Sequence, residues 1–599
     1  VILSALYLHY TEYGNCSSVS YRNSQAGRDF EEGKEMQINI QPQNHLGNFK
    51  KNVTTTASES QRLSSLPEEA ADQDISGSAH YLSDYYLSRA FSSSPKEVNI
   101  IYTGDIHGAI SPMPDKEKGE VGGAAYLAGA IKHEKEKALE VMTLVLDPDP
   151  TAEEMFELTE NPVYRVVTEK QSIVLDAGDW GQGTLESNNT QGKTMMEVMN
   201  TIKYDALEIG NHEFDWGRQA LEESLAMARV PVLCSNIFKE DGKLLDGVKP
   251  YIIKTIDGLR IGVIGIMTAN TPKEGNPKKV EGLTFLDHVD TAKKYIEELR
   301  KEKGVDLVIV LSHQSDDEDV KLAQRVEGVV IVSGHSHNVK ETSVNGNIIV
   351  KSGTQGRQVG HLRLAVDRND NKIIEYKNEF VSIKATGEIK PDSQIEKMII
   401  PVVELAKKKK AEIIGTSEFD LSHDRLKVEE SVLADFITDG LKTSNKCDIA
   451  FISSSGIRDQ VSKGGITYGD IYRVLPRDDD QSICIDMTGK QIKATMENSA
   501  RQPKNYLQAS GLSAVIDRSK PDGAMVSDIK VNGSPLEPDK VYRVGINEIL
   551  ITGPCGYDEF ARGTNVDYGR PQRDILLDYI RQNSPLKAPP KTGRLNYVA

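Results

Sequence analysis

Between residues 99 and 337, five short apolar runs are each closed by a glycine or a polar residue. They are Asn99–Thr103, Ser172–Ala177, Ala206–Ile209, Asp306–Leu311 and Val329–Ser333. Runs this short, rich in β-branched side chains, predict buried strands of a mostly parallel sheet. The pattern changes at 392–415, where Ile395, Met398, Ile399, Val402 and Leu405 recur at helical spacing. An amphipathic helix is expected there, broken or kinked near Pro401. The basic run Lys407–Lys410 at its end reads as a solvated face.

Residues from 9 to 96 are rich in Ser, Asn, Gln and Glu and have weak apolar periodicity. Most of that extension is expected to be disordered. His80–Phe91 is expected to form a short amphipathic helix docked on the body. Lys132–Glu140 reads as an extended helix end, opening a surplus over 132–165. A surface insertion accounts for the surplus; a lid is the alternative.

At 599 residues the chain is too long for one core, so two domains plus extensions are expected. A formal net charge of −17 disfavours polymeric nucleic acid as a partner, while a small phosphate ester stays compatible. Cys16, Cys234, Cys447, Cys484 and Cys555 are scattered, without a CxxC spacing. That excludes a dense disulfide framework, leaves one or two bridges open and assigns no pairing. Val1–Leu8 is apolar but too short to span a bilayer. It reads as the remnant of a secretory signal, the end of an anchor, or fragment residue. Lys591–Ala599 has no hydrophobic tail, so no C-terminal anchor and no stable membrane span is visible; on the secretory reading of Val1–Leu8 the location is expected to be extracytoplasmic.

The chemistry lies just past the predicted strands: Asp105-Ile-His107, Gly178-Asp179, Gly210-Asn211-His212-Glu213-Phe214-Asp215, Ser312-His313 and Gly334-His335-Ser336-His337. In open α/β sheets, ligands bind beyond the carboxyl ends of the strands. Imidazole, carboxylate and amide oxygen suit Zn, Mn, Fe or Co. Two such cations need a shared anion, which a carboxylate supplies, and together they bind and activate a phosphate ester. One Asp-x-His is weak evidence, because His is also an ordinary loop residue. Five motifs in this order, holding five of the twelve histidines, are strong evidence.

In that order the motifs resemble the calcineurin-like metallophosphoesterases, and within them the 5′-nucleotidase family. The resemblance implies an α/β chain: an N-terminal four-layer αββα domain over 97–385, a linking helix over 386–415 and a smaller mixed α/β substrate domain over 416–599. It places one metal on Asp105, His107 and His337, a second on Asn211, His313 and His335, and Asp179 between them. His212, oriented by Asp215, would stabilise the transition state.

The resemblance continues through Glu430–Asp439, Ser453–Arg458, Gly469–Pro476, Leu507–Gly511 and Gly553–Tyr557. Departures fall on the substrate side. Family members clamp a base between two aromatic rings; here the positions carry Arg477 and Tyr557. Ser453 replaces a loop Asn and Cys555 an Asp. Lys427 stands where the first phosphate-side Arg is expected, with Arg425 close by, and Arg458 keeps its place. Arg477 and Tyr557 would form a mixed clamp, or Arg477 would pair with Asp478–Asp480 at the surface.

The expected function is hydrolysis of nucleoside 5′-monophosphates with two divalent ions, Zn, Mn, Co or Fe. Within the class, the alternatives are a 2′,3′-cyclic-nucleotide phosphodiesterase/3′-nucleotidase and a nucleotide-sugar hydrolase. The rival from another class is a non-catalytic ligand-binding or adhesion protein on the same scaffold. That rival would have lost metal ligands or the His212–Asp215 pair, and both are present.

Overall fold

The computed structural model describes residues 9–12, 15–18, 95–137, 140–146, 164–170, 172–424, 429–477, 480–551 and 556–598. They fall into two compact units, Val1–Pro95 and Lys96–Ala599. In the first, His9–Glu12 pairs antiparallel with Asn15–Ser18. The rest of the expected polar extension, including the helix over His80–Phe91, lies outside the described residues.

The second unit begins with two six-stranded sheets. The first uses β1 (Lys96–Thr103), β2 (Ser172–Asp176), β3 (Ala206–Glu208) and β4 (Val232–Leu233). The second uses β5 (Tyr251–Ile256), β6 (Leu259–Met267), β7 (Leu307–His313), β8 (Val329–Ser333), β9 (Val339–Val344) and β10 (Asn347–Ser352). The chain then returns to the first sheet with β11 (Gln358–Val366) and β12 (Ile373–Ser382). Strand order is β4-β3-β2-β1-β11-β12 in one and β5-β6-β7-β8-β10-β9 in the other. All five expected strands form. β1 to β4 run parallel, as do β6, β7, β8 and β10.

Alternation along each strand builds the layers, because successive side chains point to opposite faces. Ile309 and Leu311 of β7 meet Ile100 and Tyr102 of β1 between the sheets. Val308 and Val310 face outward onto α4 (His288–Lys301) and α5 (Asp316–Ala323). Ile101 and Val174 face the other way, onto α1 (Ala124–Lys137), α2 (Lys193–Ile202) and α3 (Arg218–Met227). The result is the expected αββα stack, with both sheets covered. Past α1, Glu140–Leu146 pairs antiparallel with Tyr164–Lys170, so part of the surplus is a strand pair.

Helix α6 (Ser393–Lys410) follows, its first turn capped by the Asp392 side chain on the amides of Gln394 and Ile395. It continues through Pro401 as one helix, so the break that was one of the two expectations there does not occur. Ile395, Met398, Ile399 and Val402 pack on the first domain, but Leu405 is exposed. At 3.6 residues per turn Leu405 lies about 80° off the Ile395 direction, and Ala406 takes the buried position. The basic run is not simply solvated: Lys409 donates to Asn189 at 3.0 Å and Lys410 to Glu186 at 3.1 Å. Lys409 also lies 4.9 Å from the Tyr468 ring centroid.

The remainder is mixed α/β. A five-stranded sheet, order β15-β13-β16-β14-β17, uses β13 (Ile449–Ser453), β14 (Gln481–Thr488), β15 (Leu507–Ser510), β16 (Val541–Asn547) and β17 (Thr564–Pro571). The helix expected from Glu430 is α7 (Val432–Asn445), capped by Ser431. It packs with Ile575 and Ile580 of a helix over Gln572–Asn583 on one face of this sheet. Among the described residues no helix is long and apolar enough to cross a membrane.

Helix α1 is tied to the first sheet by a buried polar group. Glu134 accepts from His361 on β11 at 2.8 Å and from Lys137 at 2.8 Å, and the other His361 nitrogen meets Asn99 on β1 at 3.0 Å. Burial acts to raise the Glu134 pKa, but the bonds from His361 and Lys137 outweigh it and hold it at about 2, against 4.5 ordinarily. A depressed carboxylate pKa stabilises the fold above the unfolded value, and the gain disappears as pH falls through the folded value. Glu134→Gln is expected to lower unfolding free energy by about 2–3 kcal/mol near neutral pH. Urea melts should show the gap closing as pH drops from 4.5 toward about 2; a gap that stays constant contradicts the assignment.

Candidate metal centre

Parallel strands that start from one edge also end on one edge. Asp105 and His107 follow β1, Asp179 follows β2, Asn211 follows β3, His313 closes β7, and His335 and His337 follow β8. The register keeps the ends level: Thr103 is opposite Asp176, and Ser312 opposite Ser333. Backbone bonds then weave the loops together, Asp105 N to Gly178 O at 2.9 Å and His107 N to Asp179 O at 2.8 Å. Asp105, His107, Asp179, His335 and His337 all adopt left-handed backbone, with φ of 51°, 49°, 57°, 71° and 56°. Non-glycine residues rarely sit there, and such strain concentrates at functional sites.

Two groups of ligating atoms result. Asp105, His107, Asp179 and His337 hold theirs within 4.8 Å of one another, and so do Asp179, His313 and His335. Asn211 Oδ1 adjoins the second group, 3.1 Å from His313 Nε2 and 3.0 Å from His335 Nδ1. Asp179 belongs to both. Its Oδ2 is 3.2 Å from His313 Nε2 and 3.7 Å from His107 Nε2.

These residues fit divalent cations. His107 Nδ1 meets the Gln182 carbonyl at 3.0 Å, and His313 Nδ1 the Ala177 carbonyl at 2.6 Å. A carbonyl only accepts, so each Nδ1 carries the proton and each Nε2 presents a lone pair. Two lone pairs therefore aim toward Asp179 Oδ2, a buried carboxylate oxygen with no hydrogen-bond partner. Such an arrangement is costly until a positive charge lies among the three atoms. A proton would be the crudest form of it: against the effect of burial, Asp179 pushes His313 up to about 10. Burial pulls His107 down to about 4 and His335 to about 3, so both rings are neutral, the form that can ligate a cation.

His212 stands beside this centre. Its backbone N–H donates to Asp179 Oδ1 at 3.0 Å, and its Nδ1 meets Asp215 Oδ2 at 2.7 Å. The carboxylate makes that nitrogen the donor. A cleft of about 300 Å³ opens over the centre, lined by His212, Asp215 and His335 from the first domain and by Arg477, Glu548 and Ile549 from the second. Lys279 lines it too, its Nζ 4.0 Å from Asp215 Oδ1.

On the substrate side the expected residues are not all together. Arg477 is exposed in the cleft; of its expected acidic partners, Asp480 is engaged with Asn547 and Gln572, and Asp478 and Asp479 lie outside the described residues. Ser453 is buried, its hydroxyl 2.9 Å from that of Ser455, and Arg458 is exposed away from the cleft lining. Tyr557 corrects an expectation. It is only 1% exposed, packs in the core beside Phe560 and donates its hydroxyl to the Asn505 carbonyl, so its ring is not offered as a stacking face. Lys427 and Cys555 lie outside the described residues.

Three supporting groups were not singled out from the sequence. Glu213 accepts from the amides of Asp179 at 2.9 Å, Gly210 at 2.7 Å and Gly181 at 3.1 Å, fixing the loop under the shared carboxylate. Lys279 adds a cation to the cleft wall. Lys351 is a buried lysine in β10, donating to the carbonyls of Gln314 at 3.0 Å and Gly334 at 2.9 Å and to Ser336 Oγ at 3.1 Å. It pairs with Asp319 at 2.9 Å. The one signal for it is a charge inside the otherwise apolar run Asn347–Ser352.

Comparison with known proteins places the chain among phosphoesterases. Residues 98–339 match the calcineurin-like phosphoesterase family, and 411–562 match the 5′-nucleotidase C-terminal domain. A protein of Vibrio cholerae serotype O1 named 5′-nucleotidase is 30% identical over 69% of this chain and 83% of its own. A protein of Tabanus yao named apyrase is 27% identical over 70% and 83%. The crystal structure of a 5′-nucleotidase precursor from Thermus thermophilus superposes with a TM-score of 0.61 at 27% identity, over 84% of this chain and 99% of that one.

Lys351 gives a direct test of how the centre is held. Lys351→Met leaves buried Asp319 without its cation and two carbonyls without a donor, and should cost about 3–5 kcal/mol in urea unfolding. Bound metal should fall as well, because the Gly334–His337 loop loses its anchor. A cost below about 1 kcal/mol would contradict that role.

Proposed function

The chain belongs to the 5′-nucleotidase family of calcineurin-like phosphoesterases, and on that premise we propose that it hydrolyses nucleoside 5′-monophosphates to nucleoside and phosphate with divalent metal. The observation that carries this reading is the buried, unpartnered Asp179 Oδ2 shared by two clusters of metal-ligating atoms. Asp105, His107 and His337 would hold one cation, Asn211, His313 and His335 a second, and Asp179 would serve both. Zn, Mn, Co and Fe suit this donor set. Such a pair supplies Lewis-acid charge for phosphoryl oxygens and lowers the pKa of water.

The chain's own groups do the rest. Asp215 holds the Nδ1 proton of His212, so Nε2 can present a hydrogen bond or a proton to an oxygen of the phosphate. Lys279 and Arg477 bring positive charge to the wall of the same cleft. Arg477 sits where stacking on the base or pairing with phosphate are both open to a guanidinium. Lys427, Ser453 and Arg458 are proposed as further contacts reached when the two halves close on substrate. Tyr557 is not assigned to the base. The working division is 97–385, 386–415 and 416–599 after the extension 1–96, and the two family matches support it.

A relative named apyrase favours a second reading, in which nucleoside di- and triphosphates are also cleaved. The proposed setting is extracytoplasmic, and the apposed Cys447 and Cys484 suit an oxidising compartment. A phosphate-release screen over 5′-, 3′- and 2′,3′-cyclic nucleotides, ADP, ATP and a nucleotide sugar decides among these. Zn, Mn or Co should each be added back after chelation. Preferred release from 5′-monophosphates is expected; no release with any metal would sink the reading. His212→Ala should lower kcat by about 10²–10⁴-fold while metal content stays unchanged. Loss of a metal in that variant would show that Asn211 and His212 have been given the wrong roles.

A further inference from the structure

Away from the cleft, two cysteines meet over the five-stranded sheet. Strand β16 runs through its middle. β13 pairs with it on one side, Ile449 opposite Val544 and Ala450 opposite Gly545. β14 pairs on the other, with Cys484 directly opposite Gly545. Cys447 precedes β13 by two residues and is buried; Cys484 is half-buried. Gly545 has no side chain, and a Cβ there would stand 3.3 Å from Cys447 Sγ. Over this bare position the two sulfurs reach across β16 and stand 3.3 Å apart.

We propose that Cys447 and Cys484 are a covalent cross-link site, forming a disulfide that clasps β13 to β14 across β16. The oxidant is a disulfide, either a small molecule or a dithiol-disulfide oxidase. The Cys484 thiolate attacks one of its sulfurs and expels the other as a thiol. The Cys447 thiolate then attacks Cys484 Sγ in the mixed disulfide, forming the Sγ–Sγ bond and releasing the second thiol. Two electrons and two protons pass from the pair to the oxidant.

The surroundings set the order of events. Cys484 is the more accessible thiol, and accessible thiols react first. The hydrogen bond with Cys447 and, against burial, the Arg543 guanidinium hold it below the usual thiol range. Cys447 is held above that range by the bond to Cys484 and by burial, which suits a resolving thiol. The closed ring, residues 447–484, carries Ser453, Arg458 and Arg477. Closing it restricts the unfolded chain and pins both ends of the segment that bears the substrate-side groups. The inference rests on the sheet geometry and needs no step of the proposed hydrolysis.

The test uses the full chain equilibrated with oxidised glutathione. Thiols are then blocked with iodoacetamide in denaturant, and the protein is digested and mapped by mass spectrometry without reduction. A peptide pair joining Cys447 to Cys484 and lighter by two hydrogens is expected, with buried Cys234 carrying the alkyl group. Dithiothreitol should lower the thermal midpoint of the wild type by several degrees and leave that of Cys484→Ser unmoved. The mapping needs no variant, so it reads the pair whether or not a substitution folds. Alkylation of both cysteines after oxidation, pairing of either with Cys16 or Cys555, glutathione on Cys484 alone, or an equal dithiothreitol shift in Cys484→Ser would each overturn the proposal.

Discussion

Asp179 Oδ2 is buried between ring nitrogens of His107 and His313 and has no hydrogen-bond donor while both rings are neutral. Both imidazoles are committed by carbonyls at Nδ1, so both direct Nε2 at the side where Asp179 lies, and the carboxylate draws a proton onto His313 in place of a metal ion. A buried carboxylate in this setting destabilises the chain until a cation joins it. Much of the first domain is arranged to hold that unfavourable cluster still. Asp105, His107, Asp179, His335 and His337 occupy left-handed backbone, and the loops carrying them are bonded to one another across strands.

The support comes from groups with no part in ligation. Glu213 gathers three amides under the Asp179 loop, and Lys351 ties the ends of β7 and β8 from below. Both sheets are covered on their outer faces, so the strand ends cannot shift independently. A rigid scaffold of this kind is what the proposed role of His212, held through Asp215, requires: a ring kept at a fixed distance from the candidate metal centre. The linking helix extends this order into the second domain through Lys409 and Lys410, which touch elements on either side.

What was legible in the sequence follows from what is periodic or local. Short β-branched runs marked the buried parallel strands because both their faces are covered, and the Asp, His and Asn residues directly behind them were placed by strand direction alone. Spacing and resemblance together therefore named the candidate ligands that the fold brings into two clusters. Less was legible where three-dimensional neighbours decide. Leu405 fits a helical pattern but falls beyond the buried arc, and Ala406 is the residue that packs. Tyr557 sits at a family position for stacking, yet its ring fills the core and its hydroxyl is bonded to backbone. Lys351 is a single charge whose partners come from two separate segments, 314–319 and 334–336, and the Cys447–Cys484 contact depends on a glycine in a third strand.

The central claim is that one carboxylate is shared by two metal ions at the ends of the parallel strands. Crystals of the wild-type chain grown with manganese, with anomalous data collected near the metal edge, test it most directly. Two anomalous peaks are predicted on either side of Asp179 Oδ2, one against Asp105, His107 and His337 and the other against Asn211, His313 and His335. A single peak, or two peaks that leave Asp179 uncoordinated, would contradict the account.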